Sequence, residues 1–117
     1  MENHKLVLPE HLNHFGFLFG GHMLAWVDEV AWIAASLDYP GFHFVTVGMD
    51  EVSFKKGVRE GTILKFVAQR LREGETSVTY EINVTRARVD TGDRDPVFST
   101  CVTMVRVDES GKKVALS

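Results

Sequence analysis

Residues 12–29, LNHFGFLFGGHMLAWVDE, place a glycine pair and two adjacent carboxylates in a stretch that is otherwise mostly apolar. From about residue 21 to residue 37, apolar side chains recur at spacings of three and four, which predicts a helix. They continue almost all the way round this helix, so we expect it to be enclosed on every side. Pro40 and Gly41 end it, because proline cannot continue a helix and glycine suits a turn. The sequence therefore predicts a long buried helix that carries Asp28.

The rest of the chain is predicted to be largely extended. A short strand precedes the helix, and four strands follow it: HKLVLPE, then FHFVTVGMDEVSF, TILKFVAQRL, TSVTYEINVTRARV and VFSTCVTMVRV. Short turns separate the later strands, so we expect them to form an antiparallel meander. The order β–α–β–β–β–β predicts an α+β fold, with one long central helix wrapped by a roughly five-stranded antiparallel sheet. Such a sheet has exposed edges, and we expect pairing with a second copy of the chain.

Length and composition exclude several classes of function. The 117 residues are expected to form a single domain, 1–117, which is long enough to bury a core. A formal net charge of −3 argues against general attraction to nucleic acid or to an anionic membrane. Residues 15–37 are the only candidate membrane span, and the two carboxylates near its centre exclude it. The single cysteine, Cys101, fits a cytoplasmic location, and no cysteine or histidine spacing predicts a metal ion.

The glycine pair Gly20 and Gly21 stands where the predicted helix begins. Amides at the start of a helix have no partner within it and can donate to an oxygen that carries negative charge. A thioester carbonyl under nucleophilic attack generates such an oxygen. The alternative is that small residues at this point simply let the loop turn into the helix.

Asp28 lies eight residues beyond Gly20, among Leu24, Ala25, Ala31 and Trp32 on the predicted helix. A carboxylate in such apolar surroundings suits a general base or a nucleophile. The alternative is an interface carboxylate that pairs with an arginine, Arg86 or Arg88.

Asn13 and a set of basic residues are further candidates. The Asn13 amide could orient a water molecule or a carbonyl, although asparagine is also a common turn residue. Lys55, Lys56 and Arg86 could contact the phosphates of a ligand, or they could be ordinary solvated side chains of strand ends and turns.

Four motifs, in this order, resemble those of the hotdog-fold acyl-CoA thioesterases, in the cytosolic acyl-CoA hydrolase branch: NHFGFLFGGHMLAWVDEVA, VTVGMDEVSFKKGVREG, GETSV and TCVTMVRVDESGKKV. The resemblance implies a homodimer that often assembles further into a trimer of dimers, a hexamer. It also implies active sites between subunits and an acyl tunnel beside the helix. The implied reaction hydrolyses acyl-CoA to free fatty acid and CoA. Coenzyme A is part of the substrate, and no separate cofactor is implied.

The same resemblance assigns roles residue by residue. Asn13 matches the site asparagine of the family, the Gly20 amide would polarise the thioester carbonyl, and Asp28 would act as base or nucleophile. Thr46 falls near a hydroxyl that helps to hold the attacking water in some relatives. The residues expected to bind substrate are Gly21, Phe17, Phe19, Thr46, Thr76, Ser77, Lys55, Lys56 and Arg86.

The chain departs from the family pattern at two positions, and two other functions stay open. Phe17 stands where some members have an aspartate, and Gly57 stands where a proline is common. Phe17 favours a non-catalytic sensor that binds acyl-CoA without cleaving it. His14, fourteen residues before Asp28, allows a hotdog dehydratase that acts on β-hydroxyacyl thioesters.

Overall fold

The computed structural model describes residues 1–87 and 89–117. Its regular elements follow the predicted order, with a single turn of 3-10 helix at Pro9–His11 before the long helix. They are β1 (Glu2–Leu6), α1 (Gly20–Asp38), β2 (His43–Phe54), β3 (Ile63–Glu73), β4 (Ser77–Ala87) and β5 (Arg94–Val107). Arg88, one of the arginines considered as a partner of Asp28, lies outside the described residues.

Within the described residues the strands form one five-stranded antiparallel sheet in the order β1-β3-β4-β5-β2. The meander is therefore confined to β3, β4 and β5, whereas β2 pairs with β5 at the opposite edge from β1. The predicted placement of β2 beside β3 was wrong, because the segment after β2 crosses to the far side of the sheet. Val58 anchors that crossing: its side chain is buried, and its carbonyl oxygen accepts from the Leu18 amide at 2.6 Å.

The helix α1 lies against the sheet through a stripe of small and branched residues. Its buried positions are Met23, Val27, Val30, Ala31, Ala34 and Ala35. The opposite side is open in the single chain, where Trp32 is 50% exposed and Leu37 is 66% exposed. The expectation of enclosure on every side is thus not met by one chain, because one sheet can cover only one side of a helix.

The two edges of the sheet differ in length and polarity. The edge strand β1 has five residues, most of them polar, whereas the edge strand β2 has twelve. Along β2, the side chains of Val45, Val47, Val52 and Phe54 are each at least 44% exposed. A long apolar edge of this kind favours pairing with another strand.

No helix among the described residues combines the length and the apolar character needed to cross a membrane.

Candidate active site

The loop before α1 is held by the side chain of Asn13. Its Oδ1 accepts from the backbone amides of Phe15 and Phe17 at 2.9 and 3.1 Å, and the backbone amide of Asn13 donates to the Phe17 carbonyl at 2.7 Å. Gly16, at the tip of this loop, has a φ of +85°, which favours glycine. The carboxamide oxygen of Asn13 is therefore engaged in the loop, and the Nδ2 amide group is the part that remains available to a ligand.

The start of α1 presents two amides without acceptors. Phe19 is extended, with φ −65° and ψ 130°, and the helix begins directly after it at Gly20. Across residues 1–87 and 89–117, neither the Gly20 amide nor the Gly21 amide donates a hydrogen bond to any acceptor. A side chain at Gly20 would approach the Phe54 ring, since a Cβ there would lie 3.4 Å from Phe54 Cζ. This is an ordinary van der Waals distance, so the Phe54 ring lies beside the helix start and would also accommodate a small side chain there.

A cavity of about 270 Å³ opens beside this helix start. Apolar side chains and two lysines both contribute to its lining. The lining residues that matter here are Leu18, Gly20, Met23, Phe54, Val58 and Val97, with Lys55 and Lys56 at the rim. The cavity can therefore accept an apolar group next to free amide donors, with positive charge near its opening.

The middle of α1 holds the candidate base. Asp28 is half-buried, and the hydroxyl of Thr46 on β2 donates to its Oδ1. The same hydroxyl oxygen lies 3.3 Å from the sulfur of Met104, which is fully buried on β5 and pairs with Thr46 in the sheet register. The structure thus brings Asp28 and Thr46 together, as the predicted roles require, and adds Met104.

Arg86 does not pair with Asp28 within the chain. Its Nε and Nη2 donate to the two carboxylate oxygens of Asp95 at 3.3 and 2.6 Å, and Lys56 Nζ reaches the same carboxylate at 3.0 Å. The Arg86 guanidinium and the Lys56 ammonium hold the pKa of Asp95 well below its usual range. Two of the three predicted phosphate ligands therefore already have an acidic partner. Lys55 is exposed and has no ionic partner in the part of the chain that the structure describes.

Thr76 and Ser77 lie far from the helix start. Ser77 begins β4 and is paired with Val105, and the Thr76 carbonyl accepts from the Arg106 amide at 2.9 Å. The cavity beside Gly20 is lined instead by Val97, near the other end of β5. Eight strand residues separate Val97 from Val105, which corresponds to roughly 27 Å. A single chain does not bring these two predicted substrate-binding residues to the Gly20 cavity.

Phe17 and Phe19 differ in their surroundings. The Phe17 ring lies against Gly57, where a Cβ would come within 2.8 Å of Phe17 Cδ1, and the Arg59 guanidinium lies 4.4 Å from the ring centroid on its face. Phe19 is 53% exposed, and its ring meets His22 edge-on. The two departures from the family pattern, Phe17 and Gly57, are thus in direct contact.

Within the described residues, no group of three or more His, Cys, Asp or Glu side chains is arranged to hold a metal ion. His14 packs on the Phe15 ring, with the ring centroids 4.1 Å apart, and makes no hydrogen bond to Asp28 in the described chain.

Comparison with known proteins identifies the family. Residues 15–92 match the family model of the thioesterase superfamily. The chain belongs to the thioesterase superfamily.

Curated relatives are similar in sequence to most of this chain. It is 28% identical over 108 residues to YkhA of Bacillus subtilis, which is named as an acyl-CoA thioester hydrolase, with 92% of this chain and 62% of the relative covered. The chain spans about three fifths of the length of such curated relatives.

Solved structures match over 98% of this thioesterase-superfamily chain. An acyl-CoA hydrolase from Staphylococcus aureus in complex with butyryl-CoA and CoA is 30% identical, with 70% of its chain covered and a TM-score of 0.91. A hexameric hotdog-fold thioesterase of Campylobacter jejuni is 34% identical, with 88% of its chain covered and a TM-score of 0.89. The predicted hotdog fold is confirmed.

Sequence reasoning missed two residues of this region. Met104 contacts Thr46 and Asp95 contacts Arg86 and Lys56, yet neither was singled out. Only Asp95 could have been found from the sequence, because a β4–β5 hairpin in this register places an acidic residue opposite Arg86.

Proposed function

We propose that this chain hydrolyses acyl-CoA thioesters to a carboxylic acid and free CoA. The observation that carries the proposal is the pair of open amides at Gly20 and Gly21 beside an apolar cavity with lysines at its rim. Membership of the thioesterase superfamily supports it, as does the likeness to a hydrolase that binds butyryl-CoA and CoA. The chemistry requires neither a metal nor a cofactor, so activity should survive a chelator. The single cysteine remains the ground for proposing a cytoplasmic location.

In the proposed reaction the thioester carbonyl oxygen accepts from the Gly20 amide. Asp28 removes a proton from a water molecule, whose oxygen attacks the carbonyl carbon, and the Gly20 amide stabilises the oxyanion that forms. The carbon–sulfur bond then breaks, and the departing CoA sulfur takes up the proton that Asp28 holds, which returns Asp28 to its carboxylate form. Direct attack by Asp28, which gives an anhydride that water then hydrolyses, uses the same groups.

The distance along α1 argues that each site uses two copies of the chain. Eight helical residues between Gly20 and Asp28 span about 12 Å, which is longer than the reach of one carbonyl group and one attacking water. We therefore propose that Gly20 of one copy works with Asp28 of a second copy. The exposed apolar β2 edge supports a homodimer, and hexameric structural relatives support assembly into a trimer of dimers.

The roles of Asn13, Asp28 and Thr46 gain support from the Staphylococcus aureus hydrolase. Its solved forms include alanine variants of an asparagine, an aspartate and a threonine that follow one another at spacings of 15 and 17 residues. In this chain the three residues follow one another at spacings of 15 and 18. We propose that they do the same work, with the Asn13 amide group orienting the substrate or the water.

The first experiment is a thiol-release assay with acyl-CoAs from short to long. We expect free CoA to appear with the wild-type chain, in the presence or absence of EDTA. Binding of acyl-CoA without thiol release would contradict hydrolysis and favour a sensor. Conversion of a β-hydroxyacyl-CoA to the enoyl product without thiol release would favour a dehydratase.

The second experiment tests the two-copy site by mixing two inactive variants. Gly20→Pro removes the amide donor, and proline is well tolerated at the first position of a helix; Asp28→Asn removes the base. If each site takes Gly20 and Asp28 from different copies, a hybrid dimer regains one intact site. An equal mixture, unfolded and refolded together, should then recover about a quarter of the wild-type activity. A mixture as inactive as its components would contradict the shared site.

A further inference from the structure

The hydroxyl of Thr46 has one proton and two neighbouring acceptors. One is the Asp28 carboxylate, to which it donates, and the other is the Met104 sulfur, 3.3 Å from the hydroxyl oxygen. Met104 is fully buried, and it lies opposite Thr46 in the β2–β5 register, so its sulfur is held at a fixed place. A thioether sulfur is a weak acceptor, whereas an ionised carboxylate is a strong one. While Asp28 is ionised, the Thr46 hydroxyl therefore donates its proton to the Asp28 carboxylate and not to the sulfur.

We propose that Met104 is a positioning residue for the hydrolysis, because its sulfur accepts the Thr46 proton whenever Asp28 becomes protonated. This inference rests on the proposed function. When Asp28 takes a proton from water, its carboxyl group becomes a donor and can donate to the Thr46 oxygen. The Thr46 proton then turns to the Met104 sulfur. An O–H bond of water breaks and an O–H bond of Asp28 forms, while the water oxygen bonds to the thioester carbon, whose carbonyl oxygen becomes the oxyanion; every donor around Thr46 keeps an acceptor in both states.

The sulfur therefore stabilises the protonated form of the base, which is the form that proton abstraction produces. Without it, the Thr46 hydroxyl could donate only to the neutral Asp28 carboxyl group, which is a weaker acceptor than the carboxylate, and could not also accept from that group in the same arrangement. Thr46 is exposed in the single chain, where water can replace the sulfur, so the effect should be largest when a bound substrate excludes water.

Among residues 1–87 and 89–117, few other titratable groups face Asp28 from the elements packed against α1. On α1 itself, the neighbouring Glu29 pairs with Lys5 of β1 at 3.2 Å. On the inner face of β4, the Tyr80 hydroxyl donates to Asp38 at 2.6 Å, at the far end of the helix. The inward-facing residues of β3 are apolar, and those nearest Asp28 on β2 and β5 are Thr46 and Met104 themselves.

The kinetic test replaces Met104 by leucine, which nearly conserves volume but has no acceptor. We expect Met104→Leu to lower kcat about twofold to tenfold, with KM unchanged. The acidic midpoint of the kcat profile should also move to lower pH, because the protonated base is less favoured. The matched control is Met49→Leu, a half-buried methionine of β2, which should change neither quantity. A Met104→Leu enzyme with wild-type kcat and an unshifted profile would overturn the proposal.

A double variant separates this role from packing. In a Thr46→Val background the hydroxyl is absent, so adding Met104→Leu should have no further effect on kcat or on the pH profile. An undiminished effect of Met104→Leu in that background would mean that Met104 acts through packing alone, and the proposal would be wrong.

A spectroscopic test does not depend on catalysis. The chain has four methionines, and a sample labelled at the methionine methyl carbons gives one resonance for each. We expect the Met104 signal, assigned by its loss in Met104→Leu, to titrate together with the Asp28 carboxyl carbon. It should cease to titrate in Asp28→Asn and in Thr46→Val. If wild type releases no thiol, the proposed function fails whatever this signal does; if the signal stays still while Asp28 titrates, the role of Met104 fails.

Discussion

The start and the middle of α1 differ in whether their polar groups already have a hydrogen-bond partner. At Gly20 and Gly21, two amides have no acceptor in the described chain, whereas at Asp28 the carboxylate already has a donor in Thr46. An unpaired donor beside a cavity is ready for an oxygen that arrives with a ligand, and a paired carboxylate is held in one orientation for proton transfer. On the proposed function, the two regions would contribute different steps, so we expect substitutions at each to have different effects.

Removal of the base should have the largest effect. Asp28→Asn keeps a side-chain oxygen that can accept from Thr46, so the fold and the position of the side chain should be retained. We expect kcat for thiol release to fall by about 10²-fold to 10⁴-fold. Circular dichroism and thermal unfolding check the fold. A folded variant that keeps more than a tenth of the wild-type kcat would contradict the role of Asp28.

Removal of the donor should have the next largest effect, and the chain offers a matched pair of variants. Gly20→Pro removes the amide hydrogen, and the extended Phe19 is compatible with a following proline. We expect kcat to fall by about 10²-fold to 10³-fold. Gly20→Ala keeps the donor and adds only a Cβ at 3.4 Å from the Phe54 ring, so it should cost much less. Equal losses in both variants would indicate that space at position 20 matters rather than the hydrogen bond.

The third prediction concerns the contact between Gly57 and the Phe17 ring. A Cβ at Gly57 would lie 2.8 Å from Phe17 Cδ1, so Gly57→Ala must displace a ring that Arg59 also covers. We expect the free energy of unfolding in urea to fall by about 1–3 kcal/mol. Gly48→Ala is the control, because a Cβ there meets no atom within 4 Å.

The loss should largely disappear in a Phe17→Ala background, where the ring that blocks the Cβ is gone. A loss that persists there would mean that the backbone at position 57 requires glycine and that contact with Phe17 is irrelevant.

The sequence predicted what local pattern and charge determine. Three- and four-residue spacing identified α1, alternation identified the strands, and the carboxylate at position 28 stood out in an apolar run. The position of β2 at the far edge could not be read locally, because it depends on the crossing that Val58 anchors.

Met104 was equally hidden, since a methionine in an apolar strand resembles any other core residue. Its contact with Thr46 exists only because of the β2–β5 register, which shifts just after Thr46. The partner of Arg86 required the register of the β4–β5 hairpin, since the two residues face each other across it.

The smallest effect is expected at the rim of the cavity, where two adjacent lysines differ. Lys55 has no ionic partner in the described residues, whereas Lys56 lies 3.0 Å from Asp95. A CoA phosphate would therefore meet the full charge of Lys55 but would have to compete with a carboxylate for Lys56. We expect Lys55→Ala to raise KM for acyl-CoA about twofold to fivefold at low salt, and Lys56→Ala to raise it less.

The state of Asp95 fixes the pH dependence of that difference. Arg86 and Lys56 lower the pKa of Asp95, so its carboxylate stays ionised throughout the neutral range. It would be protonated only at pH values below those at which an aspartate usually takes up a proton. The ratio of the two KM values should consequently be constant between about pH 6 and pH 8. Asp95→Asn should release Lys56 and bring the effect of Lys56→Ala up to that of Lys55→Ala. If Lys56→Ala already has the larger effect in the wild-type background, the phosphate approaches from the Asp95 side, and the pairing does not shield Lys56.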